Sequence, residues 1–272
     1  MGAWYHDGFA AMRVDGKVAL ITGASEGIGA ACARTLAARG ARLALTARSR
    51  EKLEQVGGPD ALIVAGDLTD AAVRRQVVDA TLARFGTIDV LVNNAGVGLY
   101  TPAWKASLAA ARRMFELNFF ALLELIQLVV PHMQRQRSGA IVNVSSIAGK
   151  APFPWLTLYC ASKYAVCALG DGLRMELAPY NIQVTTVCPG HVKTGFGDHV
   201  LDGRLAERFQ RTRKFSITAG ECAEAMVRGL ERGARTVMVP RVGWVLIALE
   251  RLLPWLVDRE MARLYHRPEP PA

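Results

Sequence analysis

The sequence predicts one α/β domain built on an open, doubly wound parallel sheet. Short β-rich runs alternate with longer helical patterns from residue 17 to residue 240. Several of the β-rich runs are almost continuously apolar, which is typical of parallel strands that are covered on both faces. No Pro-, Gly- or Ser-rich linker interrupts the alternation. Strand–helix alternation of this kind implies right-handed βαβ crossovers within a single sheet.

The alternation places the elements in a definite order. We expect strands at residues 17–22, 41–46, 62–65, 88–92, 140–144, 183–187 and 236–239. We expect helices between them at residues 27–39, 71–85, 109–135, 159–178 and 222–232. The chain therefore divides into an N-terminal extension at residues 1–14, one folded domain at residues 15–240 and an apolar and basic C-terminal extension at residues 241–272.

Composition narrows the class of protein. The 272 residues are 51% hydrophobic and 21% charged, which fits a globular domain and is far from disorder. Lys and Arg (33) outnumber Asp and Glu (24) by nine, which suits an anionic partner such as a phosphorylated cofactor, an acyl carrier, acidic lipid or nucleic acid. No aromatic–basic motif or recognition helix accompanies the charge, so nucleic acid is the least favoured of these partners.

Targeting segments and metal sites are not expected. The sequence has no run of about 18 uncharged apolar residues, which argues against a transmembrane helix, and residues 1–14 lack the apolar centre of a signal peptide. The five cysteines are odd in number, scattered and without a CxxC pair. They are interpreted as buried small hydrophobic residues in a reducing cytoplasm, and not as disulfides or zinc ligands.

A glycine-rich turn, Thr-Gly-Ala-Ser-Glu-Gly-Ile-Gly at residues 22–29, follows the first predicted strand and opens the first helix. Its glycines allow a tight turn, close approach of the backbone to a phosphate and close packing of helix on strand. The helix N-terminus offers unpaired N–H groups to that phosphate. In this position the turn predicts a dinucleotide site; the motif alone would also fit a plain strand-to-helix turn.

The Gly-xxx-Gly-x-Gly spacing resembles the short-chain dehydrogenase/reductase family, and further motifs of that family follow in the same order. They are Gly66-Asp67-Leu68-Thr69, Asn93-Asn94-Ala95-Gly96, Asn118, Ser146, Tyr159 with Lys163, and Pro189-Gly190. The resemblance covers roughly residues 15–240. It implies a Rossmann-type fold, a nicotinamide cofactor and oxidoreductase activity.

The resemblance assigns catalytic roles to Asn118, Ser146, Tyr159 and Lys163. In the family the serine polarises the substrate oxygen, the tyrosine exchanges a proton with it, the lysine also binds the nicotinamide ribose, and the asparagine holds a water that links the lysine to solvent. Tyr159 and Lys163 stand four residues apart on one helix face. We therefore expect the ammonium to lower the pKa of the tyrosine. Ser145 is the alternative serine, because it directly precedes Ser146.

The resemblance also predicts the cofactor contacts. They come from the glycine-rich turn and from the ends of several strands, and comprise Gly23, Ser25, Glu26, Gly27, Ile28, Gly29, Arg48, Asp67, Leu68, Asn94, Ala95, Gly96, Tyr159, Lys163, Pro189, Gly190, Val192 and Thr194. Asp67 and Leu68 would flank the adenine, and Thr194 would touch the carboxamide or the phosphates.

The end of the second predicted strand favours NADP over NAD. An acid there would hydrogen-bond the ribose 2′-hydroxyl of NAD. The sequence instead carries Arg48 and Arg50, whose guanidinium groups suit a 2′-phosphate. Glu26 instead favours NAD, since many NADP-preferring relatives carry a basic residue before the second glycine. NADP is the predicted cofactor and NAD the alternative.

These observations predict an NADP-dependent oxidoreductase that interconverts a secondary alcohol and a ketone. The apolar residues 153–156, just before the catalytic helix, favour a lipophilic substrate. The alternatives are a reductase of 3-oxoacyl chains bound to an acyl carrier or coenzyme A, and a catalytically silent NADP-binding regulatory protein. The resemblance also implies a homodimer or homotetramer through the helices at residues 109–135 and 159–178.

Two segments lie outside the motifs. One is a basic cluster that would be a solvated helix face or a contact for an acyl carrier, coenzyme A or acidic membrane; it comprises Arg204, Arg208, Arg211, Arg213 and Lys214. The other is the apolar stretch at residues 242–257, which is too interrupted to span a bilayer. It would pack over the substrate cleft, form a subunit contact, or attach the protein peripherally to a membrane through residues 241–265.

Overall fold

The central sheet of the computed structural model is parallel throughout. In chain order the strands are β1 (Val18–Thr22), β2 (Arg42–Ala47), β3 (Leu62–Ala65), β4 (Val90–Asn93), β5 (Gly139–Val144), β6 (Ile182–Pro189), β7 (Val192–Lys193), β8 (Ile217–Thr218) and β9 (Thr236–Val239). Seven of them form the sheet in the order β3-β2-β1-β4-β5-β6-β9, while β7 and β8 form a separate ribbon. The structure describes residues 11–201 and 216–265.

Helices cover both faces of this sheet. In chain order they are α1 (Gly27–Ala37), α2 (Arg50–Gly57), α3 (Ala71–Phe85), α4 (Leu108–Phe115), α5 (Ala121–Gln136), α6 (Thr157–Leu177), α7 (Ala219–Glu231), α8 (Gly243–Leu252) and α9 (Pro254–Tyr265). Side chains of α1, α2 and α7 build the core on one face, and those of α3, α5 and α6 build it on the other. Every residue of β1, β4, β5 and β6 is buried, which is why these strands read as continuous apolar runs.

The sheet changes winding direction at β1. This strand pairs with β2 on one side and with β4 on the other, although β4 comes much later in the chain. The connections on the two sides leave the sheet in opposite directions, so a crevice opens at the carboxyl ends of β1 and β4. The glycine-rich turn and the residues after β4 lie at this crevice, as the Rossmann-type prediction requires.

The predicted fold class is confirmed, and all seven predicted strands are present with ends shifted by at most two residues. The helix predicted at residues 109–135 is present as one continuous segment, in which a π turn at Glu116–Phe120 lies between α4 and α5. Helix α2 and the ribbon of β7 and β8 were not predicted. Helix α2 shows no apolar periodicity in the sequence because Leu53 is its one buried residue. The sequence features that mark its two ends are the Ser49 N-cap and the glycines that follow its last turn.

One continuous helical segment within the described residues, Leu108–Gln136, is long and apolar enough to cross a membrane by length and composition alone. No membrane-spanning helix was predicted from the sequence. Of its most apolar stretch, 39% is buried within the protein. Leu122, Leu125, Val129 and Met133 pack into the core beside the sheet, and core helices commonly meet the same criterion.

The C-terminal extension forms the two helices α8 and α9. Gly243 and Ile247 are the buried positions of α8, and Ile247 packs with Met238, Cys167 and Cys188. Most other apolar side chains of the segment are exposed. We call the exposed set the C-terminal apolar face; it comprises Val242, Trp244, Val245, Leu249, Leu252, Leu253 and Trp255.

Candidate active site

A cleft of about 1600 Å³ opens at the carboxyl ends of the strands. Its walls are the glycine-rich turn, the ends of β2 to β6, the start of α6 and the segment that follows β6. Of the predicted site residues, all line the cleft except two. Gly29 packs against the Gly23 carbonyl of the glycine-rich turn, and Asn118 hydrogen-bonds the backbone of Val97. Both residues therefore affect the cleft through a neighbour that lines it.

The glycine-rich turn is clamped to the end of β4 by hydrogen bonds. The Thr22 hydroxyl accepts from the backbone N–H groups of Asn94 and Ala95 at 2.9 and 3.0 Å. The Asn94 side chain donates to the carbonyl oxygens of Thr22 and Gly23, both at 3.0 Å. A Cβ at Gly29 would lie 2.2 Å from the Gly23 oxygen, so only glycine allows α1 to pack this closely. Thr22 was not singled out from the sequence.

This turn forms a cradle that fits the pyrophosphate of a dinucleotide. Gly27 has a φ of +57°, and a Cβ there would approach the Thr194 side chain to 3.3 Å. A Cβ at Gly23 would meet the Ala95 backbone at 2.9 Å. The N-cap residue of α1, Glu26, forms no side-chain cap, so its carboxylate does not occupy the N–H groups of the first helical turn. An anion can therefore approach both the backbone and the helix N-terminus.

The charges near the end of β2 differ from the prediction in one respect. Arg48 lines the cleft, whereas Arg50 pairs with Glu54 at 3.5 Å and lines a separate shallow groove. Lys52, on the unpredicted α2, also lines the cleft and donates to the Glu26 carboxylate at 3.0 Å. Because Lys52 pairs with Glu26, the one acidic group of the glycine-rich turn faces a neighbouring cation.

Asp67 lines the cleft just beyond the end of β3. Its carboxylate accepts hydrogen bonds from the Thr69 backbone N–H at 3.0 Å and hydroxyl at 2.9 Å. The backbone bond is the main reason that the pKa of Asp67 is lower than usual, with a further contribution from Arg113 and Arg48. Asp67 therefore stays ionised and fixes the loop that carries Leu68.

Ser146, Tyr159 and Lys163 meet in the cleft. The Ser146 side chain lies beside Tyr159, where it partly opposes the rise in the tyrosine pKa, and its hydroxyl donates to the Pro189 carbonyl at 3.4 Å. The Lys163 Nζ lies 5.8 Å from the centroid of the Tyr159 ring and donates to the Val144 carbonyl at 3.0 Å. Ser145 instead donates to the Lys163 carbonyl at 2.8 Å. The geometry therefore favours Ser146 over Ser145 as the partner of the tyrosine.

The proton affinities of this cluster are set mainly by burial. Burial raises the pKa of Tyr159 above its usual value, and the neighbouring Ser146 side chain only partly opposes the shift. The sequence predicted that the lysine would lower the pKa of Tyr159, and that prediction is wrong. The free energy of removing the phenolate from water outweighs the stabilisation that its neighbours provide. Burial also lowers the pKa of Lys163 to about 8. A tyrosine that keeps its proton therefore stands beside a lysine that can lose one.

Asn118 is held by the π turn between α4 and α5. Its Oδ1 accepts from the Val97 N–H at 2.9 Å, and its Nδ2 donates to the Val97 carbonyl at 3.0 Å and to the Ser162 hydroxyl at 3.2 Å. A Cβ at Gly96 would lie 3.2 Å from the Asn118 Oδ1 and 3.4 Å from the Lys163 Nζ. The asparagine and lysine thus converge on one glycine. π turns inside helices are frequent at functional sites.

The far end of the cleft is apolar. Its wall beside Tyr159 is formed by Leu99, Tyr100, Phe153, Leu156, Phe196 and Leu201. The Phe196 ring lies beside the Tyr159 ring, with centroids 5.9 Å apart and planes tilted by 56°. Of the predicted apolar residues 153–156, Phe153 and Leu156 line the cleft, while Trp155 packs against Tyr100. The basic cluster at residues 204–214 lies outside the described residues.

Comparison of the sequence with known proteins gives consistent relatives. A family model described as short chain dehydrogenase matches residues 17–204. The chain is 32% identical over 263 residues to the human protein named dehydrogenase/reductase SDR family member 7, covering 90% of this chain and 78% of the relative. It is also 32% identical over 256 residues to the Arabidopsis thaliana protein named 11-beta-hydroxysteroid dehydrogenase-like 2, covering 90% and 80% respectively.

Solved structures share the fold over nearly the whole chain. A short chain dehydrogenase/reductase from Burkholderia phymatum in complex with NAD superposes with a TM-score of 0.82 at 26% identity, covering 96% of this chain and 99% of that one. A short chain dehydrogenase from Burkholderia cenocepacia J2315 in complex with NADP gives a TM-score of 0.77 at 29% identity, covering 94% and 100%. The similar structures thus include complexes with either nicotinamide cofactor.

Proposed function

Since the chain belongs to the short chain dehydrogenase family, we propose that it is an NADP-dependent enzyme that interconverts a secondary alcohol and a ketone on a lipophilic substrate. Oxidoreductase activity follows from the family. The observation that carries the finer proposal is the meeting of Ser146, Tyr159 and Lys163 beneath an apolar wall. The name of the Arabidopsis relative refers to a hydroxysteroid, a lipophilic secondary alcohol, which supports the same substrate class.

The proposed chemistry assigns one task to each side chain. The nicotinamide ring of the cofactor supplies or accepts the hydride when it is bound. The glycine-rich turn and Thr194 would hold its phosphates. The Ser146 hydroxyl donates a hydrogen bond to the substrate oxygen and polarises the carbonyl. Tyr159 then donates its proton to that oxygen, and Lys163, held near Asn118, stabilises the phenolate left behind.

The raised pKa of Tyr159 fits the reductive direction. A phenol that keeps its proton is ready to act as a general acid on a carbonyl oxygen. Lys163, whose pKa lies at about 8, can return a proton to the phenolate near neutral pH. In the oxidative direction the same two groups move the proton the other way.

We expect Tyr159→Phe to lower turnover at least about 100-fold, because it removes the proton donor, and to leave NADPH binding largely intact. The measurement is NADPH absorbance with steroid, aliphatic, small cyclic and acyl-thioester ketones, together with an NADPH fluorescence titration. Tyr164→Phe is the matched control, since Tyr164 lies on the same helix but is not among the described residues lining the cleft.

Each alternative function has its own outcome in that experiment. Wild-type activity in Tyr159→Phe would contradict the assignment of the proton donor. Reduction of the acyl thioester alone would favour a 3-oxoacyl reductase, the activity in the name of a similar Brucella melitensis structure. NADPH binding without turnover of any ketone would favour a regulatory protein.

Two features near the end of β2 support NADP as the cofactor. Arg48 lines the cleft where an NAD site would carry an acid, and Lys52 adds a second cation there. Glu26, the feature that argued for NAD, is paired with Lys52 at 3.0 Å. The local charge around the expected 2′-phosphate position therefore stays positive.

We expect Arg48→Ala to weaken NADPH binding by about 10- to 100-fold, since it removes a hydrogen bond between two charged groups. NADH binding should change by less than about twofold, because NADH lacks the 2′-phosphate. Arg50→Ala is the control, since Arg50 lies outside the cleft. Titration of each variant with both cofactors measures the effect. An NADH preference that persists in Arg48→Ala would overturn the proposal.

The C-terminal apolar face is the basis for a proposed peripheral attachment of a cytoplasmic enzyme to an anionic membrane. Val242, Val245, Leu249 and Leu252 follow one another at spacings of three and four along one side of the segment, and Leu252 is 78% exposed. Two tryptophans and exposed arginines lie beside this stripe, a composition typical of helices at a membrane interface. Among described residues, none from this segment lines the cleft, which disfavours the cleft-covering alternative.

We expect the wild-type protein to co-sediment with vesicles that contain phosphatidylserine. Val245→Glu combined with Leu252→Glu should lower that binding by about tenfold or more, because each change removes an apolar side chain from the lipid and adds a negative charge. Leu108→Glu is the control, since Leu108 is also exposed, at 72%, but lies on α4. Absence of vesicle binding, with a dimer that the double variant dissociates, would establish a subunit contact instead.

A homodimer or homotetramer through α5 and α6 is the proposed assembly. Helix α6 carries exposed Tyr164 and Met175, and Phe120 is exposed at the start of α5. Apolar side chains of this size on two neighbouring helices favour a self-complementary helical interface. We expect sedimentation to give a dimer or larger species at micromolar concentration. A monomer under those conditions would contradict the proposal.

A further inference from the structure

Arg74 is a buried cation that no motif in the sequence points to. It lies in the first part of α3 and is 6% exposed. Its guanidinium donates to the Leu68 carbonyl at 2.6 Å, to Glu116 at 3.0 Å, and to Glu124 from Nε at 2.6 Å. Nη2 also lies 2.5 Å from the same Glu124 oxygen. A buried charge is tolerated only when its donors are satisfied in this way.

The acceptors of Arg74 belong to different parts of the candidate site. Leu68 lines the cleft just beyond the end of β3. Glu116 is the first residue of the π turn and stands two residues before Asn118. Glu124 lies on α5, the helix that continues from this turn. One planar group therefore ties a wall of the cofactor cleft to the turn that positions a predicted catalytic residue.

We propose that Arg74 is a positioning residue that couples the cofactor loop at Leu68 to the π turn at Asn118. It does not itself line the cleft among the described residues. It acts through its acceptors, so that adenosine binding and the placement of Asn118 beside Lys163 depend on the same guanidinium. This inference rests on the proposed dehydrogenase function.

Arginine is suited to this task for a geometric reason. Its donors leave the guanidinium in fixed directions, so that it can hold a carbonyl and two carboxylates at once. A lysine keeps the charge but presents a single ammonium, which cannot reach all three acceptors from the same position. Arg74→Lys therefore removes the coupling while keeping a cation between the two carboxylates.

The chain offers a matched control in Arg39. This arginine also bridges two carboxylates, Glu224 and Glu231, each at 2.5 Å. Both acceptors lie on α7, and neither they nor Arg39 are among the described residues that line the cleft. A loss of stability from breaking a two-carboxylate arginine network should appear in both variants, whereas an effect on the cofactor should appear only at Arg74.

The test compares Arg74→Lys with Arg39→Lys by NADPH fluorescence titration, steady-state kinetics and thermal unfolding. We expect Arg74→Lys to raise the Kd for NADPH by about tenfold and to lower kcat, a size typical of coupling between sites. Arg39→Lys should keep both quantities within about twofold of wild type. Wild-type NADPH affinity in Arg74→Lys, or equal losses in the two variants, would overturn the positioning role.

Glu116→Gln separates the two arms of the coupling. It weakens the contact with the π turn but leaves the Arg74 bond to the Leu68 carbonyl in place. We expect a lower kcat on the ketone that the wild-type enzyme reduces, with an unchanged Kd for NADPH. Equal changes in both quantities, or no change in either, would contradict the assignment. If the wild-type protein does not bind NADPH, the proposed function fails and this inference fails with it; wild-type binding with an unaffected Arg74→Lys removes the inference alone.

Discussion

The hydrogen bonds between Thr22 and Asn94 are the constraint on which the site depends. They hold the end of β1 and the end of β4 at a fixed separation, at the point where the sheet changes winding direction. The Thr22 hydroxyl accepts hydrogen bonds from two backbone N–H groups. These bonds fix the position of the glycine-rich turn relative to the end of β4. The cradle for the pyrophosphate, the packing of α1 and the course of the chain towards Gly96 all follow from this clamp.

Burial has opposite consequences for the two ionisable groups of the catalytic cluster. Burial raises the pKa of Tyr159 and lowers the pKa of Lys163, because the neutral form of each group is favoured in the same apolar environment. The lysine is oriented by the Val144 carbonyl at the end of β5, and Ser146, beside the tyrosine, follows the same strand end. The sheet therefore positions both the donor of the proton and the group that replenishes it.

Much of the fold was predictable because parallel strands buried on both faces leave continuous apolar runs in the sequence, and the glycine-rich turn and the Tyr159–Lys163 spacing are local signals. The parts that were missed depend on tertiary contacts. Helix α2 buries only Leu53, so its register and the position of Lys52 carried no periodic signal. The π turn and the three acceptors of Arg74 come from separate segments, and a buried arginine in a helix has the same sequence pattern as an exposed one. The Tyr159 pKa depends on burial, which spacing alone does not report.

The order of strands in the sheet also determines when each strand can pair during synthesis. The inner partner of β1 is β4, and the Asn94 side chain that completes the glycine-rich turn lies 72 residues after Thr22. During synthesis the chain from β1 to β3 leaves the ribosome before that partner exists, so β1 has one unpaired edge until the later strand arrives. The dinucleotide cradle therefore cannot form from β1 to β3 alone, and a nascent chain becomes competent to bind the cofactor only after β4 has paired with β1.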